Sequence, residues 1–483
     1  MAPARGVSPL AGMGATASYG GGKAHRLAAG ALAPLGHMKP SKVIRFRMAA
    51  AGMAAAGMLL AAGSPSPALA STAARRTTAG GTGDCDSITT CFTPAQLRVA
   101  YGIQPLIERG IDGRGETVVI PALAESQPNP PVVSDLREDM TGFDKTFGLP
   151  APRMRVVTSL AGPGASPWLS FGEETLDAEM VHAIAPAAAI TIVLLSQADL
   201  TTPAASAAAL TAMLKTGIKD GDVISISAGW GEQCFTGAEV ASMHAALREA
   251  ARRHVTVVAG TGDIGAVSEP CDELDLVNGT TFPLVRGVSL PAADPLVLAA
   301  GGTTLDASHQ SGAYAGETGW GLPYGTPGTS FQASGGGYSH RFGRPGYQDG
   351  LVAGTARGVP DVSADANGHT GMALVLSTGS GGYAISDSGG TSAATPLWAA
   401  LIALADQYAG HDLGFVNPAL YRIASSARYR AAFHDVTRGN NTVKFPPQVF
   451  TGYRAARGWD PVTGLGSPDA QVLVPLLARH VAG

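Results

Sequence analysis

Between residues 117 and 408 the sequence alternates short apolar runs with longer helix-patterned runs, and this alternation most constrains the fold. The predicted strands are 117–121, 189–195, 223–227, 255–260 and 296–300, and the predicted helices are 173–184, 203–216, 238–254 and 392–408. Buried strands that alternate with helices are typical of a parallel sheet covered on both faces. We therefore predict an α/β fold with a mainly parallel sheet.

Size and charge limit the function classes. The chain has 483 residues, enough for a substantial buried core. Only 14% of the residues are charged, and the formal net charge is −4. A nucleic-acid-binding domain would need a basic face, so we predict no nucleic-acid partner.

The N-terminal region has the pattern of a secretory signal. Basic residues between Met38 and Arg47 precede an apolar run over 48–62 and the small residues that end at Ala70. The run is short for a transmembrane helix, although an uncleaved anchor is the alternative. We predict a secreted protein without stable membrane insertion. Its segments are an extension or mis-assigned start (1–37), a signal peptide (38–70), a flexible linker (71–91) and one domain (92–483).

Four cysteines can pair in three ways. We favour Cys85–Cys91 and Cys234–Cys271, because each pair closes a short loop. Unpaired buried thiols are the alternative. Zinc is disfavoured, because no CxxC or HxxxH spacing accompanies the cysteines.

The sharpest local signal is the string from Gly389 to Pro396, in which glycines precede Ser392 and an apolar helix follows. This pattern predicts a serine hydroxyl at a helix N-terminus, where the helix dipole favours a nucleophile. The alternative is that Ser392 only caps the helix. The sequence has no His-Gly-Thr-His string, which would indicate a histidine base, and no G-x-S-x-G elbow, which would indicate an α/β-hydrolase. The histidine whose surroundings are most similar to such a string, His369, lies just ahead of Ser392.

A pair of acidic residues offers a base in place of histidine. Glu173 and Asp177 are four residues apart, so they project from one face of the predicted helix. Two carboxyls on one face can share a proton, which makes Glu173 a base for Ser392 under acidic conditions, with Asp177 as its partner. The alternatives are a solvated helix start and Glu174 as the base.

A third acid, Asp263, follows a predicted buried strand in a glycine-rich turn. A protonated Asp263 could donate a hydrogen bond to the oxyanion of a tetrahedral intermediate. The alternative is a turn aspartate that binds its own backbone.

Together these motifs resemble the sedolisins, serine-carboxyl peptidases with a subtilisin-like fold. The resemblance runs from about Thr93 to the C-terminus, and the motifs that carry it, in order, are Glu173–Asp177, His182-Ala183-Ile184-Ala185-Pro186, Ile224-Ser225-Ile226-Ser227, Gly262-Asp263, Ala300-Gly301-Gly302-Thr303, Ser334-Gly335-Gly336-Gly337-Tyr338-Ser339, Pro360-Asp361-Val362-Ser363-Ala364-Asp365 and Gly390-Thr391-Ser392. It implies a single catalytic domain with Ser392 as nucleophile, Glu173 as base, Asp177 as its partner and Asp263 as oxyanion donor.

The resemblance also implies one structural Ca²⁺ ion near the C-terminus. Its ligands would be the side chains of Asp435 and Asp460 and the carbonyls of Val436, Ala456 and Gly458. Carboxylates and carbonyls in tight turns are the oxygen ligands that calcium prefers. Two ordinary turn aspartates are the alternative.

Two departures from the family pattern stand out: Thr261 replaces a serine, and residues 227–231 are longer than the usual Ser-Trp-Gly. The large prodomain usual in the family is also not apparent. We therefore expect a monomeric, secreted endopeptidase that cleaves protein or peptide substrates at acidic pH. The alternatives are a non-catalytic, calcium-stabilised binding protein and a subtilisin-type peptidase that uses His182.

Overall fold

The structure is a computed structural model that describes residues 91–124, 134–162, 165–170, 172–196, 202–216, 219, 222–269, 271, 285–321, 332–378, 381–445 and 448–481. The chain divides into one unit, Met1–Met48, and a second, Ala49–Gly483, to which all of these residues belong. The predicted extension and signal peptide, and the linker up to residue 90, lie outside the described residues. Within the described ranges, none of the helices has the length and hydropathy needed to cross a bilayer.

The described elements alternate between helices and strands. The helices are α1 (Pro94–Ala100), α2 (Gln104–Ile107), α3 (Leu136–Phe147), α4 (Glu173–Ile184), α5 (Pro203–Thr216), α6 (Gly237–Arg252), α7 (Thr391–Ala409), α8 (Asn417–Ala424), α9 (Tyr429–Ala432) and α10 (Ala470–Val481). The strands are β1 (Thr117–Ala124), β2 (Ser134–Asp135), β3 (Arg153–Leu160), β4 (Leu169–Ser170), β5 (Ala189–Ser196), β6 (Val223–Ile226), β7 (Trp230–Gly231), β8 (Thr256–Gly260), β9 (Ser289–Leu290), β10 (Leu298–Ala307), β11 (Tyr314–Gly319), β12 (Gly337–Gly343), β13 (Ala356–Val359), β14 (Val362–Asp365), β15 (Ala373–Ser377), β16 (Tyr383–Asp387), β17 (Phe433–His434), β18 (Val443–Phe445), β19 (Gln448–Phe450) and β20 (Ser467–Pro468).

A central sheet in the order β11-β10-β8-β6-β1-β5-β3 organises the molecule, and β14 pairs with β10 beside this path. Its neighbouring strands are parallel except for the β10–β11 pair. This confirms the predicted α/β fold with a mainly parallel sheet. The five predicted strands correspond to β1, β5, β6, β8 and β10, and helices α4 and α5 begin and end at the predicted residues.

Apolar residues cover both faces of this sheet. On β1, Val118 and Ile120 belong to one core cluster and Val119 to another, because successive side chains of a strand point to opposite faces. The first cluster contains α4, α7 and α10, and the second contains α5 and α6. Helix α7 packs against β6, β8 and β10 and is buried along almost its whole length.

The sheet and its helices bring chemically important segments to one edge. Ser227 follows the carboxyl end of β6, and Asp263 follows that of β8. The first turn of α7, which packs on both strands, lies at the same edge, because Thr391 bonds to Asp263. The crevice at the carboxyl ends of parallel strands is where ligands bind in open α/β sheets.

A disulfide fastens a loop at this edge. Cys234 and Cys271 are bonded, with their Cα atoms 5.3 Å apart, which confirms that predicted pair. Gln233 adds a hydrogen bond from its Nε2 to the carbonyl of Glu269, 2.9 Å long. Cys91 is also disulfide-bonded, and its predicted partner, Cys85, lies outside the described residues.

Candidate active site

Ser392 lies at the start of the buried helix α7. The helix begins at Thr391, one residue before its predicted start, so Ser392 is its second residue. Gly390 precedes it with a φ of +79°, a conformation that L-residues with side chains rarely adopt. A Cβ atom on Gly390 would lie 2.6 Å from Oδ2 of Asp263, so only glycine fits this turn. Ser392 itself is 5% exposed, and its hydroxyl is therefore held within a nearly closed site.

The first residue of α4, Glu173, faces Ser392. The Ser392 side chain interacts with the Glu173 carboxyl and favours its charged form. Burial raises the pKa of Glu173 well above its ordinary value, the neighbouring Asp177 raises it further, and the interaction with Ser392 opposes the rise. Oε1 of Glu173 is buried without a partner in the described residues. This carboxyl is suited to hold or accept a proton beside a serine hydroxyl.

Asp177 lies one helical turn after Glu173 and is almost completely buried. The hydroxyl of Ser227 donates to its Oδ1 over 2.8 Å. Burial raises the pKa of Asp177 well above its ordinary value, although the Ser227 bond opposes this. Glu173 and Asp177 therefore form a buried pair that resists double ionisation.

Asp263 connects the loop after β8 with the start of α7. Its Oδ1 accepts hydrogen bonds from the Thr391 amide at 2.8 Å and from the Thr391 hydroxyl at 3.0 Å. It therefore bonds across the fold and is not limited to its own turn. Burial raises the pKa of Asp263, while the two Thr391 bonds lower it. Because Oδ1 already accepts two bonds, we place the proton of the neutral acid on Oδ2, which faces Gly390.

Two residues of this site, Ser227 and Glu269, have no role that the sequence predicted. Ser227 was present only as the end of a strand motif, and the signal for it is a polar residue at the exit of a buried strand. Glu269 had no signal, and it lines a cavity of about 20 Å³ with Ser392, Asp263 and Ser289. Burial, and then the charge of Asp263, raise the pKa of Glu269 to about 8.

The alternative bases bond to other groups. Glu174 accepts a hydrogen bond from the Ser170 hydroxyl at 3.3 Å. The ring of His182 lies 3.1 Å from Asp144 and 2.8 Å from the carbonyl of Pro150. These contacts favour Glu173 over Glu174 and His182 as the partner of Ser392.

The two C-terminal segments predicted to bind calcium are in contact. Asp435 accepts hydrogen bonds from the Gly458 amide at 3.0 Å and from the Tyr429 hydroxyl at 3.2 Å. The amides of Gly458 and Ala456, two residues apart, donate to Asp435 and Asp460 respectively. Both carboxyls contribute, after burial, to raising the pKa of Tyr429.

Asp460 is held by donors on both of its oxygens. Oδ1 accepts from the amides of Val462 and Thr463, and Oδ2 accepts from the Ala456 amide and the Thr463 hydroxyl, all between 2.8 and 3.1 Å. Burial raises its pKa to about 6, against these hydrogen bonds.

The two C-terminal loops offer oxygen ligands of the kinds that a hard cation such as calcium binds. In the described part of the chain no three His, Cys, Asp or Glu side chains are arranged to hold a metal, so backbone carbonyls would have to complete the shell. Ala456 has no positive φ, so the alanine fits a turn in which glycine is common. Two carboxylates from adjoining loops, supplemented by carbonyls, are a donor set that suits calcium.

Comparison with known proteins finds relatives whose sequences align with most of this chain. The chain is 33% identical to kumamolisin from Bacillus sp. (strain MN-32) over 391 residues, which are 78% of this chain and 62% of that protein. It is 31% identical to sedolisin from Pseudomonas sp. (strain 101) over 344 residues, 70% of this chain and 54% of that protein. The chain thus spans less than two thirds of the length of either relative. No family model matches it.

A solved structure of one of these relatives is also similar to this chain in its fold. The fold matches that of Pseudomonas sedolisin, a serine-carboxyl proteinase solved in complex with two molecules of pseudo-iodotyrostatin, with a TM-score of 0.62 and 26% sequence identity. The match covers 80% of this chain and 98% of that one. It supports the predicted subtilisin-like architecture.

Proposed function

The chain belongs to the sedolisin family, and we propose that it is a secreted serine-carboxyl endopeptidase that hydrolyses peptide bonds in proteins at acidic pH. The observation that carries the proposal is the place of the carboxyl pair beside Ser392: the Ser392 side chain interacts with Glu173, and the Ser227 hydroxyl bonds to Asp177 and lies 3.4 Å from the carbonyl oxygen of Ser392. A serine hydroxyl needs an adjacent base, and this carboxyl pair lies next to it.

In the first step, Oγ of Ser392 attacks the carbonyl carbon of the scissile peptide while Glu173 takes its proton. The charge of Asp177 raises the pKa of Glu173 and so stabilises Glu173 in its protonated form, and the hydrogen bond from Ser227 orients Asp177. Asp263, neutral under acidic conditions, donates its proton in a hydrogen bond to the developing oxyanion. Preorganised donors of this kind stabilise the charge that forms in the transition state.

In the second step, Glu173 returns the proton to the leaving amine, and the peptide bond breaks to give an acyl-enzyme. Water then attacks the acyl carbonyl while Glu173 takes one of its protons. The bond between the acyl carbon and Oγ of Ser392 breaks, Glu173 delivers the proton to Oγ, and the free acid product leaves. Each proton that Glu173 accepts is delivered before the next turnover.

We also propose that calcium binds the C-terminal loops through Asp435, Asp460 and the carbonyls of Val436, Ala456 and Gly458. The ion would supply a fixed positive charge that holds the two loops together. It takes no part in the peptide-bond chemistry.

Secretion is part of the proposal. The signal-like sequence before residue 71 and the Cys234–Cys271 bond support it, because disulfides persist mainly in oxidising compartments.

The test is casein hydrolysis from pH 3 to pH 7 by the wild type and by Ser392→Ala. We expect hydrolysis by the wild type with an acidic optimum, and none by Ser392→Ala with an unchanged thermal midpoint. If purified wild type does not cleave casein or a peptide library across this range, the non-catalytic alternative holds. If Ser392→Ala retains activity, the assigned nucleophile is wrong.

A further inference from the structure

Strand β15 is linked both to α4, which carries Glu173, and, through β16, to α7, which carries Ser392. It pairs on one side with β16, and β16 leads through Ser388, Gly389 and Gly390 to the nucleophile. On its other side, alternate amides bond to different parts of the fold. The Ala373 amide donates to the carbonyl of Phe92 at 2.9 Å.

The next two outward amides of β15 donate to buried carboxylates. The Val375 amide donates to Oε2 of Glu179 on α4 at 3.0 Å, and the Ser377 amide donates to Oδ1 of Asp139 on α3 at 2.6 Å. Both acids are completely buried. Two acidic side chains thus complete the hydrogen bonds of an edge that another strand would normally cover.

Asp139 also reaches the first turn of α4. Its Oδ2 accepts hydrogen bonds from the Thr175 hydroxyl at 2.7 Å and from the Ser134 hydroxyl at 2.6 Å. Thr175 lies between Glu173 and Asp177 on that helix. The residue before the helix, Gly172, has no side chain with which to cap it. The start of α4 is therefore anchored from outside, through Thr175.

We infer that Glu179 and Asp139 are positioning residues, which hold the acidic helix α4 against the strand that leads to Ser392 and so fix the distance between Glu173 and the hydroxyl. The inference rests on the proposed peptidase function. Neither acid touches the reacting atoms. They act through α4, because one bonds the side of this helix to β15 and the other bonds its first turn.

The cost of burying Glu179 favours a positioning role over a purely structural one. A buried carboxyl without a cation is costly, and the ion pairs between described residues include no lysine or arginine partner for Glu179. Burial raises its pKa, the Val375 amide opposes the rise, and Asp139 and Asp144 add to it. An apolar residue would stabilise the core without this cost, but it would leave the Val375 amide without an acceptor.

The test compares Glu179→Met, Glu179→Gln and the matched control Glu317→Met. Glu317 is also buried, but it accepts bonds from the hydroxyls of Tyr101, Thr303 and Tyr314, none of which lies on α4. Each variant is measured for thermal midpoint and for kcat and KM on a chromogenic peptide.

We expect Glu179→Met to lower kcat by about 10-fold to 100-fold with KM nearly unchanged, because small misplacements of a catalytic group have effects of this size. Glu179→Gln keeps an acceptor for the Val375 amide and should restore kcat to within about threefold of the wild type. Glu317→Met should lose thermal stability but keep its kcat.

Thr175→Val provides a second test if Glu179→Met does not fold. It removes the hydroxyl that bonds to Asp139 and also lies 2.8 Å from the Ser170 hydroxyl, and kcat should fall while KM stays the same. The inference is overturned if Glu179→Met, or in its place Thr175→Val, has the wild-type kcat, or if Glu317→Met loses kcat to the same extent.

Amide hydrogen exchange separates this inference from the proposed function. If the wild type has no peptidase activity, the proposed function fails, but the anchoring can still be measured. Faster exchange over residues 173–177 and 375–377 in Glu179→Met than in Glu317→Met supports the anchor. Equal exchange in the two variants overturns it.

Discussion

Two regions of this molecule bring acidic side chains together, and they differ in the hydrogen bonds that those side chains receive. Beside Ser392, one oxygen of Glu173 has no partner among the described residues. In the C-terminal loops, the carboxylate of Asp460 accepts bonds from four donors. Donors stabilise the charged form of a carboxyl, and burial without donors favours the neutral form. The first region is thus suited to exchange protons, and in the second the four donors oppose the effect of burial, which raises the pKa of Asp460 to about 6.

The largest effect should come from Glu173→Gln, which removes the proton acceptor but keeps the shape. Because general base catalysis contributes about 10²-fold to 10⁴-fold, we expect kcat/KM on a peptide substrate to fall within this range. The control is Glu174→Gln, whose carboxyl bonds to Ser170, and it should lose much less. Equal losses in the two variants would mean that the helix start, and not Glu173, is what matters.

A smaller but still large effect is expected at Asp263. Asp263→Ala removes the oxyanion donor and should reduce kcat by about 10²-fold to 10³-fold. Asp263→Asn can accept the Thr391 bonds through its carbonyl and donate from its amide, so it should keep more activity, and that activity should persist to higher pH. Steady-state kinetics from pH 3 to pH 7 measures both, and an alanine variant as active as the asparagine variant would contradict the assigned donor.

The raised pKa values of the buried acids also predict how the stability of the fold depends on pH. Burial raises the pKa of Glu179 and Glu317, and it raises that of Glu269 from 4.5 to about 8. A raised folded-state pKa means that the folded state binds more protons than the unfolded state. This contribution to stability is complete below about pH 4.5 and is lost as the pH rises toward 8.

Urea unfolding of Ser392→Ala, which avoids self-digestion, checks this at pH 4, 6 and 8. Each unit of pKa shift corresponds to about 1.4 kcal/mol. The unfolding midpoint should fall steadily across this range. A midpoint that rises with pH would show that the buried acids are ionised in the folded state.

The smallest effect is expected from calcium. An ion that binds only the folded protein should stabilise it by about 2.7 kcal/mol at 100 times its Kd. The thermal midpoint in calcium should therefore exceed the midpoint in EDTA, and magnesium should have less effect because it prefers a stricter geometry. The matched variant Asp435→Asn should lose the calcium response. If the wild-type midpoint is the same in calcium and EDTA, the loops are ordinary aspartate turns.

Much of the fold could be predicted because its signals are local. The buried strands and the helix from Glu173 to Ile184 follow from apolar runs and helical spacing, and the structure has that helix with the predicted bounds. The disulfide between Cys234 and Cys271 could be favoured because it closes a short loop and only three pairings exist.

The rest depends on contacts between distant residues, which no local pattern contains. Ser227 bonds to Asp177, 50 positions before it in the chain, and Thr391 bonds to Asp263, 128 positions before it. Glu269 reaches the cavity only because Gly262, with a φ of +96°, leaves room for its carboxyl. Asp139 and Glu179 have no motif, because each bonds to a backbone amide of a distant strand, and backbone amides are the same in every sequence.

The bond between Cys234 and Cys271 makes the cavity beside Ser392 dependent on the redox state of its surroundings. The linked cysteines are 37 positions apart, and Glu269 lies just before the second of them. In the chain-entropy model, a cross-link over a loop of this length reduces the entropy of the unfolded chain and so stabilises the folded state by about 4 kcal/mol. In a reducing solution only non-covalent contacts, such as the one from Gln233, hold this segment. One covalent bond therefore ties the shape of this cavity to an environment that oxidises thiols.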